Sequence, residues 1–280
     1  MTDVGRLGRA DLGAIARLCT RAVADPPSSA ELEGALFTED QPAAVFGAPE
    51  TGVIAVVECE DGAHIRLLAV DPAARRRGHG QALVQAAEEW AVAAGHRAII
   101  TGADPPYFLW PGVPSTETAL MCLFERRHYG RAETNYNMDV DLLDLPEDPG
   151  GHALAGPGDR GDVDTFMAAN WPNWRPEVLR ALDKGNLVLA RDVDENGEPG
   201  AVSAFCAFEV NRRGFLGPVA VRLELMGQGR GKGVLIGALH ELRRRGAAEI
   251  SVVWVGPVLP YAAVGGRVGD VYFVYRKELA

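Results

Sequence analysis

Residues 70–83 read VDPAARRRGHGQAL, and residues 221–234 read VRLELMGQGRGKGV. Set one above the other at a spacing of 151 residues, Val70 meets Val221, Gly78 meets Gly229 and Gly80 meets Gly231. Further along, Gly95 meets Gly246 and Ile99 meets Ile250. Each stretch follows an apolar, strand-like run and precedes a helix-like one, so each reads as a glycine-rich turn between a strand and a helix N-terminus. Unpaired N–H groups and the positive end of the helix dipole make such a turn an anion site, and glycine lets the anion approach the backbone. Two copies in register imply an internal duplication of one α/β unit.

The surrounding sequence supports two domains. At 280 residues the chain exceeds the usual single-domain size. DLPEDPGGHALAGPGD, residues 144–159, separates two apolar-periodic regions and reads as a linker, dividing the chain into domains at 1–146 and 147–280. In the first half the pattern predicts helices over 11–24, 81–94 and 115–127, with strands at 52–58, 64–70, 98–101 and 133–140. The second half repeats that order, with helices over 162–169, 176–182 and 232–245 and strands at 186–190, 201–208, 216–221, 249–255 and 271–276.

The formal charge of −10 disfavours nonspecific nucleic-acid binding and suits a cationic small substrate. No apolar run is long enough to cross a bilayer, and the N-terminus has no apolar signal-peptide core, so a cytoplasmic location is expected. Cys19, Cys59, Cys122 and Cys206 are too widely spaced for a metal-ligand pair or a disulfide framework. The six histidines lack ligand spacing, so no catalytic metal is expected.

Two common nucleotide loops fail. A P-loop needs Ser or Thr after the lysine of its GK pair, where Gly233 follows Lys232. The Rossmann pattern needs a third glycine, where Lys232 stands counting from Gly227 and Val234 counting from Gly229. V-x-P-x-x-R-x-x-G-x-G does fit, through Val70, Pro72, Arg75, Gly78 and Gly80. That pattern resembles the acyl-coenzyme A loop of the GNAT acetyltransferase superfamily, in the tandem two-domain arrangement also found in mycothiol synthase. The second copy departs from it, with Leu223 at the proline position and Met226 at the basic one; a frame slid by two residues, through Gln228, Gly231 and Gly233, is a weaker match.

The resemblance implies a mixed α/β sheet in each of two GNAT-like domains, with acetyl-CoA as co-substrate and no metal. Loop amides would hold the pyrophosphate, and the pantetheine would pair with the preceding strand where two parallel strands splay apart. The residues concerned are Leu68, Val70, Arg75, Arg76, Arg77, Gly78, His79 and Gly80 in the first copy. In the second they are Val219, Ala220, Val221, Gln228, Gly229, Arg230, Gly231, Lys232 and Gly233.

Acetyl transfer to an amine needs a neutral amine, a polarised carbonyl and a proton for the departing thiolate. The family's local pattern Y-x-x-x-G-F is matched by Tyr261 and Gly265, with Gly266 in the aromatic place, so Tyr261 is the expected acid. Packed aromatic is its competing role. Phe124 holds the equivalent place in the first half, pointing to the second domain as the catalyst.

Glu209, at the end of the strand 201–208, is the expected base, acting through water, with a backbone carbonyl as the other choice; Glu224 reads as surface and Cys206 as a packed thiol rather than an acyl carrier. Asn170, Trp171 and Trp174 read equally as an acceptor wall and as interface packing, as does PYFLWPGVP at 106–114. The expected activity is transfer of acetyl to a primary amine of a small molecule, an amino sugar being the first acceptor to try, in a monomer or homodimer without nucleic-acid or membrane partners. An acyl-CoA sensor without turnover is the alternative.

Overall fold

The structure is a computed structural model that describes residues 4–41, 43–193, 196 and 199–279. The chain divides into two compact units, Met1–Asn135 with Val271–Ala280, and Tyr136–Asp270.

The first unit contains β1 (Gly5–Leu7), α1 (Leu12–Ala22), α2 (Ser29–Leu36), β2 (Ala43–Ala48), β3 (Gly52–Cys59), β4 (Gly62–Val70), α3 (His79–Ala93), β5 (Ala98–Thr101), β6 (Val113–Pro114) and α4 (Thr118–Arg126), and β7 (Gly130–Asp141) begins there. Helix α2, absent from the periodicity reading, starts at a capping box in which Ser28 accepts from the Glu31 amide and Glu31 accepts from the Ser28 amide. Strand β3 is covered on both faces, which is why GVIAVVEC reads as a nearly unbroken apolar run. Ile54 and Val56 face a core with Leu83 and Val84 of α3, while Val53 and Ala55 face Ile15, Leu18, Leu32 and Leu36 of α1 and α2.

The second unit contains β8 (His152–Leu154), α5 (Arg160–Asn170), α6 (Arg175–Asp183), β9 (Leu187–Val193), β10 (Pro199–Phe208), β11 (Phe215–Val221), α7 (Arg230–Arg244), β12 (Glu249–Val252) and α8 (Val258–Ala262), with β13 (Arg267–Glu278) beginning there. Ala204, Cys206 and Phe208 of β10 pack with α7, and Phe205 and Ala207 pack with Val163, Phe166 and Val178 of α5 and α6.

In the first unit the order is β1-β2-β3-β4-β5-β13, and in the second β7-β12-β11-β10-β9-β8. One pair in each is parallel, β4 with β5 and β11 with β12. The strand that closes β5 is the last of the chain, with Arg276 opposite Ile100 and Glu278 opposite Ala98. Residues 138–141 of β7 instead pair antiparallel with β12, from Glu249↔Asp141 to Val252↔Met138.

The compact units therefore differ from a division at 146/147. The C-terminal segment returns to the first unit, and residues 136–146 belong to the second. Either long strand could have closed either parallel pair, and strand pattern alone does not say which does.

A duplicated glycine-loop site

Backbone geometry fixes the register between the two loops. Strands β4 and β11 end at Val70 and Val221, and short 3-10 turns follow at Pro72–Ala74 and Leu223–Leu225. Arg75 and Met226 are extended, with φ −61° and −59°. Arg76 and Gly227 both take positive φ, 64° and 80°, and Gly78 and Gly229 cap 15-residue helices at φ 88° and 80°. The correspondence at 151 residues thus holds position by position, and the frame slid by two does not. Arg76 carries a side chain where left-handed backbone is disfavoured, at a cost of about 1–2 kcal/mol.

Among the described residues, the amides of Arg76, Arg77, Gly78, His79 and Gly80 meet no acceptor, and neither do those of Gly227, Gly229, Arg230 and Gly231. Each loop is thus a row of free donors at a helix N-terminus, the arrangement a pyrophosphate needs. Arg76, Arg77 and Lys232 are exposed, with no ion pair among the described residues. Arg230 lies 3.2 Å from Asp192. Gln228 is exposed, and its side chain reaches back to the Glu224 carbonyl at 3.4 Å.

The Arg75 side chain anchors the loop. Its Nε donates to the Val70 carbonyl at 3.1 Å and its Nη2 to the Ala22 carbonyl at 2.8 Å, so the guanidinium holds the loop to β4 and α1. Asp71 joins the same anchor: Arg21 and the Ala73 amide both donate to it, and they hold its carboxyl below the usual carboxylate range.

The parallel pairs open where a thioester tail would enter. Pairing between β4 and β5 runs from Ala63↔Ile99 to Ile65↔Thr101, and between β11 and β12 it covers Phe215↔Ser251 and Leu216↔Val252. Beyond these points residues 66–70 and 217–221 lose that neighbour. The Asp71 amide donates to Thr51 and the Arg222 amide to Ser203 on the opposite side. The carbonyls of Val70 and Val221 are therefore turned toward the opening, as strand geometry requires. Alternation also turns Val219 toward it, while Ala220 is buried against the α5–α6 core and its backbone groups face β10. Leu68 and Val70 are half-buried against the α3 core.

The two openings differ in what fills them. In β4, Ala55 opposes Leu67 and Val56 opposes Ile65, leaving Arg66 as a bulged residue. Its guanidinium pairs with Asp104, both side chains being wholly buried, and donates to the Ala35 carbonyl at 2.5 Å and to Gln41 at 2.6 Å. Tyr107, Phe108 and Leu109 of the following loop are buried, Leu109 within the α1–α2 core. The stretch 106–114 thus contributes packing to the first unit. In the second unit the positions of Arg66 and Asp104 hold Gly217 and Val255. A Cβ on Gly217 would meet nothing closer than Val253 at 3.9 Å.

The expected acid sits in a matching turn. The Gly266 amide donates to the Tyr261 carbonyl at 2.9 Å with Gly265 at φ 86°, and the Tyr129 amide donates to the Phe124 carbonyl at 3.1 Å with His128 at φ 66°. Phe124 is buried between Tyr129 and Tyr275, at ring distances of 5.2 and 5.9 Å. Tyr261 is half-buried against the α7 core, and its hydroxyl has no hydrogen-bond partner among the described residues. Burial, and then the nearby Cys206, push its phenol up to about 12.

Residues 12–106 match the model described as the Acetyltransferase (GNAT) family. The matched stretch lies within the first unit and runs from α1 past β5. Comparison with solved structures extends the fold to the whole chain. The glucosamine N-acetyltransferase region of a fungal multi-domain GH3 β-N-acetylglucosaminidase superposes with TM-score 0.78 at 21% identity, over 99% of this chain and 38% of that one. A tandem GNAT protein from the clavulanic acid biosynthesis pathway gives 0.74 at 16%, over 100% and 99%. A GCN5-related N-acetyltransferase from Sphaerobacter thermophilus gives 0.68 at 21%, over 99% and 95%. The chain spans well under half the length of the fungal protein. Comparison with curated proteins returned no match.

The expected base lies at the β10–β11 turn. Glu209, at φ 47°, accepts the Gly214 amide at 3.0 Å across the β10–β11 hairpin through one of its two carboxylate oxygens. Glu177 is a buried carboxyl that the sequence did not single out. It is 5% exposed on the first turn of α6, and Asn211 donates to its Oε1 at 2.9 Å. Desolvation pushes its carboxyl up to about 8, against smaller opposing effects of Arg180 and Asn211. RPEVLRALD offers a weak signal, a glutamate in an otherwise core-facing set with Val178, Ala181 and Leu182.

Asn170 and Trp171, read as part of an acceptor wall, are tied to the second glycine loop. Asn170 accepts the Leu223 amide at 3.2 Å and donates to the Phe166 carbonyl at 2.9 Å. Trp171 donates from Nε1 to the Val221 carbonyl at 2.9 Å and stacks on Trp174 at 5.1 Å. Cys206 is fully buried, and burial pushes its thiol far above the usual range, so no thiolate is available there for acyl transfer. Among the described residues no group of His, Cys, Asp or Glu could hold a metal ion, and no helix is long and apolar enough to cross a membrane.

Proposed function

We propose that the chain is an acetyl-CoA-dependent N-acetyltransferase whose second unit transfers acetyl directly to a primary amine of a small molecule. The contrast between Arg66 and Gly217 carries this reading: an ion pair fills the first opening, and a residue without a side chain stands at the corresponding place in the second. Tyr261 and Phe124 point the same way. The amine lone pair attacks the thioester carbonyl, the C–N bond forms and the C–S bond breaks. The departing thiolate takes the Tyr261 proton, and the ammonium proton passes through water to Glu209 at the end of β10. Loop amides with Lys232 hold the coenzyme diphosphate.

An amino sugar is the acceptor we favour first. The negative charge of the chain suits a cationic amine, and the chain shares its fold with a glucosamine N-acetyltransferase region. The first unit, in this reading, keeps a coenzyme loop without turnover. We place the protein in the cytoplasm as a monomer or homodimer, with neither nucleic acid nor membrane as partner. Titration calorimetry with acetyl-CoA, followed by turnover assays on glucosamine and simple amines, tests the proposal. Coenzyme binding with acetylated product supports it, binding without turnover on any amine supports a sensor, and no binding heat removes the coenzyme reading.

A further inference from the structure

The second GNAT loop lacks the basic residue of the first, yet its backbone follows the same path. In the first unit the Val70 carbonyl, turned toward the opening, is held by Arg75 at 3.1 Å. Met226 occupies the place of Arg75, is 60% exposed and has no donor to offer. The corresponding carbonyl is nonetheless held: Trp171 donates to Val221 at 2.9 Å. Arg75 ties its loop to the end of α1 through Ala22, and Asn170 ties the second loop to the end of α5 through the Leu223 amide. The same two connections are made by different residues.

We infer that Trp171 is the positioning residue of the second coenzyme site, where its indole replaces the arginine lost at Met226 and fixes the Val221 peptide for the pantetheine. The inference rests on the coenzyme reading above. A carbonyl oxygen has two lone pairs, so the indole takes one and leaves the other for a pantetheine amide. The stack on Trp174, nearly parallel at 10°, keeps the ring in place. Losing one such bond to an ordered carbonyl is worth roughly tenfold in affinity.

The test is calorimetry of the full chain with acetyl-CoA as probe, on wild type, Trp171→Phe, Arg75→Ala, and Trp171→Phe combined with Met226→Arg. Phenylalanine keeps an aromatic ring beside Trp174 and removes only the indole N–H and its five-membered ring, and thermal melts confirm that each variant is folded. The expected result is a roughly tenfold loss at one site for Trp171→Phe, a comparable loss at the other for Arg75→Ala, and recovery when arginine is placed at 226. In turnover assays Trp171→Phe raises KM for acetyl-CoA and leaves kcat unchanged. An isotherm unchanged by Trp171→Phe overturns the inference while leaving the coenzyme reading intact. So does a loss that Met226→Arg fails to restore, whereas wild type that never binds acetyl-CoA overturns the coenzyme reading itself.

Discussion

Arg66 and Gly217 occupy the same bulge position in the two repeats, one filled by a guanidinium locked to Asp104 and the other bare. A buried pair of this kind is costly to break from one side, because the remaining charge has no solvent to return to. Asp104→Asn should cost about 3–5 kcal/mol in a urea melt of the full chain, and replacing Arg66 and Asp104 together by Met and Leu should restore most of it. Equal stability of wild type and the single variant would mean that the pair is not buried in solution.

Tyr261→Phe should lower kcat about 100-fold while acetyl-CoA affinity changes less than about twofold, because the hydroxyl makes no structural hydrogen bond among the described residues. A phenol near 12 stays protonated throughout the assay range, so the rate of the wild type should show no alkaline loss from this group below about pH 10. A variant that keeps full turnover would remove Tyr261 from the chemistry.

Glu177 links stability to pH. With its pKa raised from 4.5 to about 8, the folded chain binds more protons than the unfolded chain between those values, so stability falls as pH rises through that window. Glu177→Gln keeps an acceptor for Asn211 and should flatten this dependence, gaining up to a few kcal/mol at pH 8. A pH dependence of urea-melt stability that persists in the variant would assign it to another group.

Native-state alkylation should find one fast thiol. Cys122 is exposed, whereas burial pushes Cys19 up to about 11 and Cys59 to about 12, and Cys206 is fully enclosed. Mass spectrometry after brief iodoacetamide treatment reads the order directly, and early labelling of Cys206 would reopen an acyl-enzyme route.

Much of this architecture was legible in the residues alone. Val70 to Gly80 encode a strand, a turn and a helix start through local preference, and the copy 151 residues on repeats them, so the repeated strand–turn–helix unit and both glycine loops follow from short-range rules, while the fold came from the family resemblance they carry. Tyr261 and Phe124 were placed in matching turns for the same reason. What decided the rest lies far apart in the chain. The strand that closes the first sheet comes from Val271 onward, a choice between two similar strands that only packing settles. That the Gly214 amide meets Glu209, and that Glu177 is buried against Asn211, likewise depend on contacts outside their own segments. Met226 looked like a lost function until Trp171, 55 positions earlier, met the Val221 carbonyl. Local sequence sets backbone path because its causes are local; which side chain satisfies which buried or outward polar group depends on neighbours that only the tertiary structure brings together.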